Sequence, residues 1–430
     1  MNGIDYAFAD RTKQFKSSAV RDLLSIIQQG NVISFAGGLP SEELFPIEEV
    51  RLAYEKVFAS GAGALQYGVT EGFLPLRVLL EERMKRKGIA SSPGTILLTT
   101  GSQQAIDLFS RVMLSPGDCV LTENPTYLAA LQVFQSYEGQ VCPVQGDEHG
   151  MDPHDLEQKI RAVKPKFIYV VPTFSNPEGK VWSLERRAAL VDLAKTYSVL
   201  IFEDDPYGEI RFDDQGNAQE EAQEDGQETN PSQASLDQET NPSQASLNQE
   251  IYPSLASLDP ERSHVLYAST FSKTVVPALR SGWVTGPEKV IRMMVQAKQA
   301  SDLHSSSLDQ QALYFLLRDF NLDRHIALLR REYHQRMTIM RSYLEKLEGF
   351  SFTEPKGGMF FWVKAGEHLD MSGLLQEAVG HGVAYVPGFP FYVANPRRNT
   401  FRLNFTHADP EKLKLGMTRL SELLGRQGKG

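Results

Sequence analysis

An open α/β sheet with helices on both faces, followed by a smaller α+β unit, is the fold class this sequence predicts. Two observations carry it. Between Thr95 and Gly286, short runs that are apolar nearly throughout alternate with amphipathic segments. Strands apolar along their whole length are buried on both faces, which requires helices on each side. Beyond about Asn321 the pattern changes to one long helical stretch and then to scattered short strands.

Taken in order, TILLTTG (95–101) reads as a strand and 102–114 as a helix. CVLTENP (119–125) is a second strand, with a helix through Leu128 and Phe134. KFIYVVPT (166–173) is a third, and a helix over 184–197 leads to VLIFEDDP (199–206). HVLYAST (264–270) and RSGWVTG (280–286) complete the apolar set. A helix is expected over 321–348, then strands in GGMFFWVK (357–364), VAYVPG (383–388) and TFRLNF (400–405). The expected division is a large unit over 46–320, a small unit over 321–430, and an N-terminal segment, 1–45, packing with the small unit. That segment offers a helix over 18–29 and one extended piece, too little for a core of its own.

Residues 213–262 break the pattern. They hold twelve acidic residues and one basic one, a net of −11, which leaves +1 for the rest of a chain whose total is −10. Three eleven-residue units follow one another: QETNPSQASLD, QETNPSQASLN and QEIYPSLASLD. Pro231, Pro242 and Pro253 would each break a continuous helix. A disordered surface insertion is expected over about 213–262. With the acidity confined there, the charge balance gives no support for nucleic-acid binding, which would need a basic face; separately, no apolar run approaches the ~20 residues of a membrane span. The N-terminus lacks an apolar signal region, so a cytoplasmic protein is expected. Cys119 and Cys142 lie in or beside apolar runs and read as buried free thiols, with no disulfide framework and no metal site.

Four pieces fall at or just past the C-terminal ends of expected strands, where open α/β sheets bind ligands. SNPEG puts Asn176 in a turn; EDDPYGE ends a strand in consecutive carboxylates; STFSK puts Lys273 beyond an apolar strand; Arg280 follows seven residues later. An Asn-Pro pair alone is a turn signal, and a lone lysine is ordinarily solvated. Together they suit pyridoxal phosphate, which needs a lysine for its Schiff base and a carboxylate against its ring nitrogen. Lys273 fits the first role and Asp204 the second, with Asp205 as the alternative carboxylate. TTGSQQ (99–104) runs into a helix N-terminus, a natural phosphate site, where Ser102 and Gln103 offer donors. Ser272 and Arg280 can close the phosphate cup, and Tyr127 can stack on the ring.

At this point the sequence resembles the fold-type I pyridoxal-phosphate aminotransferases of class I and II, over nearly the whole chain outside the insertion. ISFAGGLP (33–40), LQYG (65–68), TTGSQQ, ENPTY, SNPEG, EDDPYGE, STFSK with Arg280, and FRLNF with Arg402 occur in the family's order. The resemblance implies a mostly parallel seven-stranded sheet in the large domain. It implies that Asn176 and Tyr207 bind the cofactor's O3′ side, that Thr270 joins the cofactor site, and that Arg402, with Asn176 and Gly38, receives the substrate. It implies that Tyr67 reaches the phosphate of a neighbouring subunit, and hence a homodimer. AVRDLLSIIQQGNVISFAGGLPSEELFP resembles the 2-aminoadipate and kynurenine aminotransferase subgroup, in which the arginine matching Arg21 can meet a distal carboxylate; a solvated helix residue is the other reading of Arg21.

The resemblance implies ping-pong transfer of an amino group from an L-amino acid (2-aminoadipate, glutamate, aromatic or aliphatic) to a 2-oxo acid such as 2-oxoglutarate. Two alternatives stay open: a lyase or decarboxylase using the same cofactor, since fold does not fix function, and a cofactor-sensing regulator, which would need a DNA-binding domain in the roughly 30 residues before ISFAGGLP.

Overall fold

The computed structural model describes residues 6–15, 32–212 and 252–427. Its centre is a sheet of β1 (Ile96–Thr99), β2 (Cys119–Thr122), β3 (Gln140–Pro143), β4 (Phe167–Val170), β5 (Leu200–Asp204), β6 (Val265–Thr270) and β7 (Gly282–Thr285). Their spatial order is β1-β7-β6-β5-β4-β2-β3. β7 runs antiparallel to both its neighbours and the other pairings are parallel. Every residue of β1, β2, β4, β6 and β7 is buried, as expected for a sheet covered on both faces.

Helices α1 (Gly101–Met113), α2 (Leu128–Ser136) and α3 (Leu184–Tyr197) follow strands β1, β2 and β4. Ser183 caps α3 by accepting from Arg186 N (3.2 Å). Two apolar clusters cover the sheet, one containing Leu98, Ile201, Tyr267 and Trp283, the other Phe109, Phe167, Tyr169 and Phe202.

A second sheet of β8 (Ser351–Phe352), β9 (Phe360–Lys364), β10 (Val386–Pro387) and β11 (Thr400–Asn404) is antiparallel throughout, in the order β8-β9-β11-β10. The long helix α4 (Leu322–Leu344) and the last helix, α5 (Pro410–Gln427), pack on it around Phe361, Tyr385, Leu403 and Met417. Phe35 belongs to the same core. The segment carrying it is pinned along its length. Ile33–Ser34 pairs in parallel with Val383–Ala384, Asn404 N donates to Phe35 O (2.8 Å), and Ser41 N donates to Tyr333 Oη (3.1 Å).

The expected disordered insertion does not include 252–262. Residues 213–251 lie outside the described residues, as does the helix expected over 18–29, but 252–262 are built into the body. Leu255 is fully buried, and Leu255 N and Ala256 N donate to the buried Glu203 carboxylate (2.9 and 3.0 Å). Polar composition misplaced this boundary because one leucine and two backbone donors outweigh it. Of the two free thiols, Cys119 is buried and Cys142 only half-buried. Among the described residues no helix is long and apolar enough to cross a membrane.

Candidate active site

The consecutive carboxylates at the end of β5 separate by strand geometry. Successive side chains point to opposite faces, so Asp204 shares a face with Phe202, and Glu203 and Asp205 take the other. Tyr169 on β4 pairs with Phe202 in register, which brings its hydroxyl to Asp204: Tyr169 Oη donates to Oδ2 at 2.9 Å. Oδ1 of Asp204 is buried without a protein partner. Burial, reinforced by the nearby Asp205 and offset by the Tyr169 and Ser102 hydroxyls, pushes the Asp204 carboxyl up to about 7. Asp205 accepts from Tyr267 Oη (2.7 Å) and Gly208 N (2.9 Å) and lies 3.6 Å from Lys87 Nζ. The alternative carboxylate is therefore committed to the structure behind the sheet.

Lys273 follows β6 in a turn. Its Nζ donates to Gly38 O at 2.7 Å and has no carboxylate partner among the described residues. Burial first, then the positive Arg402 and Arg280, bring its ammonium down to about 8.

Arg402 on β11 is buried, and likewise no carboxylate faces it among the described residues. Its NH1 donates to Asn176 Oδ1 (2.5 Å) and its NH2 to Ala36 O (2.8 Å). Its guanidinium lies 4.2 Å from the Phe360 ring centre and 5.2 Å from that of Phe391. Nε is buried without a partner. Burial lowers this guanidinium to about 10, yet at neutral pH it stays charged, so a buried cation waits for an anion. Tyr207 is buried and meets Phe360 edge-on at 5.8 Å.

A third group surrounds the N-terminus of α1. Gly101 has φ +75°, and a Cβ there would lie 2.9 Å from Arg280 NH2. The left-handed backbone favours glycine there, and a Cβ would crowd the arginine's approach to the turn. Ser102 Oγ is buried without a partner. Arg280 NH1 reaches Ser272 Oγ at 3.4 Å. Arg280 itself has a left-handed backbone (φ 45°) and precedes β7 instead of beginning it. Tyr127 Oη lies 3.5 Å from Gln103 Oε1, and burial pushes its phenol up to about 12. Thr270 turns its hydroxyl inward: it donates to Ser281 O (2.9 Å) and accepts from Ser272 N (3.1 Å), so it shapes the turn that carries Ser272.

Two expected residues stand apart. Tyr67 is 80% exposed and touches His304 edge-on at 5.8 Å. Arg21 lies outside the described residues. Sequence reasoning missed Tyr169, Phe360 and Phe391. A lone hydroxyl in the apolar run FIYVV could have flagged Tyr169; nothing in the sequence marks the two phenylalanines as ring partners of Arg402.

Residues 31–420 match the family model for aminotransferase class I and II. The chain is 37% identical to aromatic-amino-acid aminotransferase 1 of Thermococcus litoralis, over 99% of this chain and 96% of that one. It is 33% identical to the 2-aminoadipate transaminase of Thermus thermophilus, covering 97% and 96%. The kynurenine aminotransferase of Pyrococcus horikoshii, solved in complex with PMP and with KYN as substrates and KYA as products, superposes with a TM-score of 0.84 at 38% identity, covering 98% of each chain. The fold is that of the fold-type I, pyridoxal-phosphate-dependent enzymes, and the chain belongs to the class I and II aminotransferases.

The residues present fit that cofactor. Among the described residues, Asp204 Oδ1 and Ser102 Oγ are buried polar atoms without a hydrogen-bond partner and Lys273 is a depressed amine without a counter-ion, and Arg280 approaches the N-terminal turn of α1 over a glycine. A carboxylate for a ring nitrogen, an amine for an aldehyde and a cup for a phosphate make one donor set.

Proposed function

We propose that this aminotransferase moves the amino group of acidic and aromatic L-amino acids, with aliphatic ones also accepted, to a 2-oxo acid such as 2-oxoglutarate, in two half-reactions of a ping-pong cycle. The observation that carries the reading is Arg402, a buried guanidinium beside the Phe360 and Phe391 rings with no carboxylate partner among the described residues. Such a fork suits the α-carboxylate that every amino acid and 2-oxo acid presents. The donor classes follow the relatives, one an aromatic-amino-acid aminotransferase and another a 2-aminoadipate transaminase.

Pyridoxal phosphate, when bound, supplies an electron-accepting ring that stores the amino group between the two half-reactions. In this reading Ser102, Gln103, Ser272 and Arg280 hold its phosphate, with Thr270 acting through Ser272. Tyr127 covers the ring, Asn176 and Tyr207 hold the O3′ side, and Asp204 keeps the ring nitrogen protonated. Lys273 holds the cofactor and, once displaced by substrate, takes and returns the proton at the substrate Cα; an amine brought down to about 8 is close to the operating pH, as a general base requires. Asn176, already bonded to Arg402, orients the guanidinium toward the substrate carboxylate beside Gly38.

The same reading makes the protein a homodimer in which Tyr67 completes the neighbouring subunit's phosphate cup. Supporting it, Ile47, Phe58, Leu65, Tyr67, Val69 and Leu74 are all more than half exposed along one stretch of chain, a concentration of apolar surface typical of a subunit interface. Arg21 is proposed to meet the distal carboxylate of acidic donors.

The test is a half-reaction screen. Amino acids are added singly to the cofactor-loaded enzyme, and conversion of the cofactor to its amine form is followed by absorbance. Glutamate, 2-aminoadipate and aromatic donors should each convert it. Conversion by none of them, or release of carbon dioxide or of a β-substituent in place of the 2-oxo acid, would overturn the reading.

A further inference from the structure

We propose that Lys298 is a positioning residue for the phosphate-binding turn at Thr100–Ser102, and that it acts through Gln104. The inference rests on the assignment of that turn to the cofactor phosphate, made above.

Lys298 lies near the end of the helix Glu288–Gln299, and its side chain is 0% exposed. An ammonium so buried is costly unless its charge is paired and its protons are used. It donates to Gln104 Oε1 (2.6 Å), to the Asp302 carboxylate (2.9 and 3.0 Å) and to Ser305 Oγ (3.0 Å). Gln104 stands in the first turn of α1, two residues beyond Ser102. Its Oε1 also accepts from Thr100 N at 2.8 Å, and its Nε2 donates to Asp302 Oδ2 at 2.7 Å. Lys298 and Asp302 thus fix which way the Gln104 amide faces, and the amide in turn holds the backbone residue that opens α1. The Thr100 hydroxyl is tied in as well, 2.9 Å from Ser305 Oγ.

Packing does not do this work unaided. A cavity of about 230 Å³, lined by Thr100, Arg280 and Ser305 among others, lies against the turn. On that side the polar knot holds Thr100–Ser102 together with Thr99 Oγ1, which donates to Gly101 O at 3.0 Å. Lys298 makes no hydrogen bond to Lys273, Asp204 or Arg402. A shift of the turn would move Ser102 and the α1 amides relative to a phosphate while leaving the Lys273 amine in place and Asp204 still held by Tyr169. The loss on removing Lys298 should therefore fall chiefly on the phosphate.

The experiment compares two ligands that differ only in that group. Full-length wild type and Lys298→Met are titrated with pyridoxal phosphate and with pyridoxal, read by absorbance. Loss of a charge-assisted hydrogen-bond network should raise the Kd for pyridoxal phosphate about 10- to 100-fold and leave that for pyridoxal within about 2-fold. Gln104→Leu, which keeps the Lys298–Asp302 pair, should show the same selective loss, and it decides the matter if Lys298→Met does not fold. Equal loss of both ligands, or no loss, overturns the positioning role. Arg280→Gln separates the premise from the inference, because Arg280 is assigned to the phosphate directly. If that variant also fails to discriminate the ligands, the phosphate assignment itself is wrong and the proposal falls with it.

Discussion

Asp204 and Asp205 are adjacent in sequence and face opposite sides of the central sheet, Asp204 held by Tyr169 Oη at 2.9 Å and Asp205 by Tyr267 Oη at 2.7 Å. Their substitutions should therefore separate. Asp204→Asn should retain cofactor but lose at least about 100-fold in kcat, the lower end of what a positioned proton-holding group contributes. Asp205→Asn should keep turnover and lower the Tm, because it weakens contacts to Tyr267, Gly208 and Lys87. Steady-state rates and thermal melts of both variants check this; wild-type turnover in Asp204→Asn would remove it from the ring nitrogen.

The raised pKa of Asp204 has a thermodynamic signature in the cofactor-free protein. Its folded value, about 7, lies above the ordinary aspartate value. The native state then binds more protons than the unfolded state between about pH 4 and 7, so stability from this group falls as pH rises through that window. Asp204→Asn has no such proton to lose. Its Tm relative to wild type should rise from pH 5 to pH 7.5 when both are free of cofactor. A pH-independent difference would mean that the carboxyl is already ionised at pH 5.

Lys273→Ala should nearly abolish transamination while leaving the phosphate and ring contacts to retain some cofactor. Borohydride reduction of the wild-type enzyme followed by peptide mass mapping should label Lys273, whose amine is brought down to about 8 by burial and by the nearby Arg402 and Arg280. Label on another lysine would refute the assignment.

Arg402→Ala should cost every donor alike, about 10- to 150-fold in kcat/KM, the loss expected for one charge-assisted pair. Arg402→Lys should not restore activity, because a point charge cannot reproduce the two-pronged contact. Arg21→Ala should cost a similar factor for glutamate and 2-aminoadipate only. Equal losses for acidic and aromatic donors would make Arg21 a structural residue.

Deleting 220–250 should leave a folded, active enzyme, since each doubling of a loop's length costs only about 0.6 kcal/mol. Extending the deletion to 258 should not. It removes the buried Leu255 and leaves the Glu203 carboxylate, already pushed up to about 7 by burial, without its two backbone donors. Thermal melts of the two deletions compare these directly.

The sequence by itself determined the alternation of strands and helices, because burial on both faces leaves an unbroken apolar run that no neighbour can alter. It also singled out Lys273, Asp204, Asn176, Ser102 and Arg280 as the proposed site residues, since each lies near a strand end or a turn where a chemically demanding residue type interrupts apolar or turn sequence. Only the tertiary structure decided how those residues are held. The register of β4 on β5 brings Tyr169 to Asp204, and the crossing of the second sheet brings Arg402 to Asn176 across 226 residues of chain. The same holds for Lys298, which lies 194 residues from Gln104 and reads locally as one more charge on an amphipathic helix. That residues 252–262 belong to the body was likewise settled by packing. Local composition records what a segment prefers, whereas the burial of Leu255 and the donors to Glu203 depend on a surface that the rest of the chain supplies.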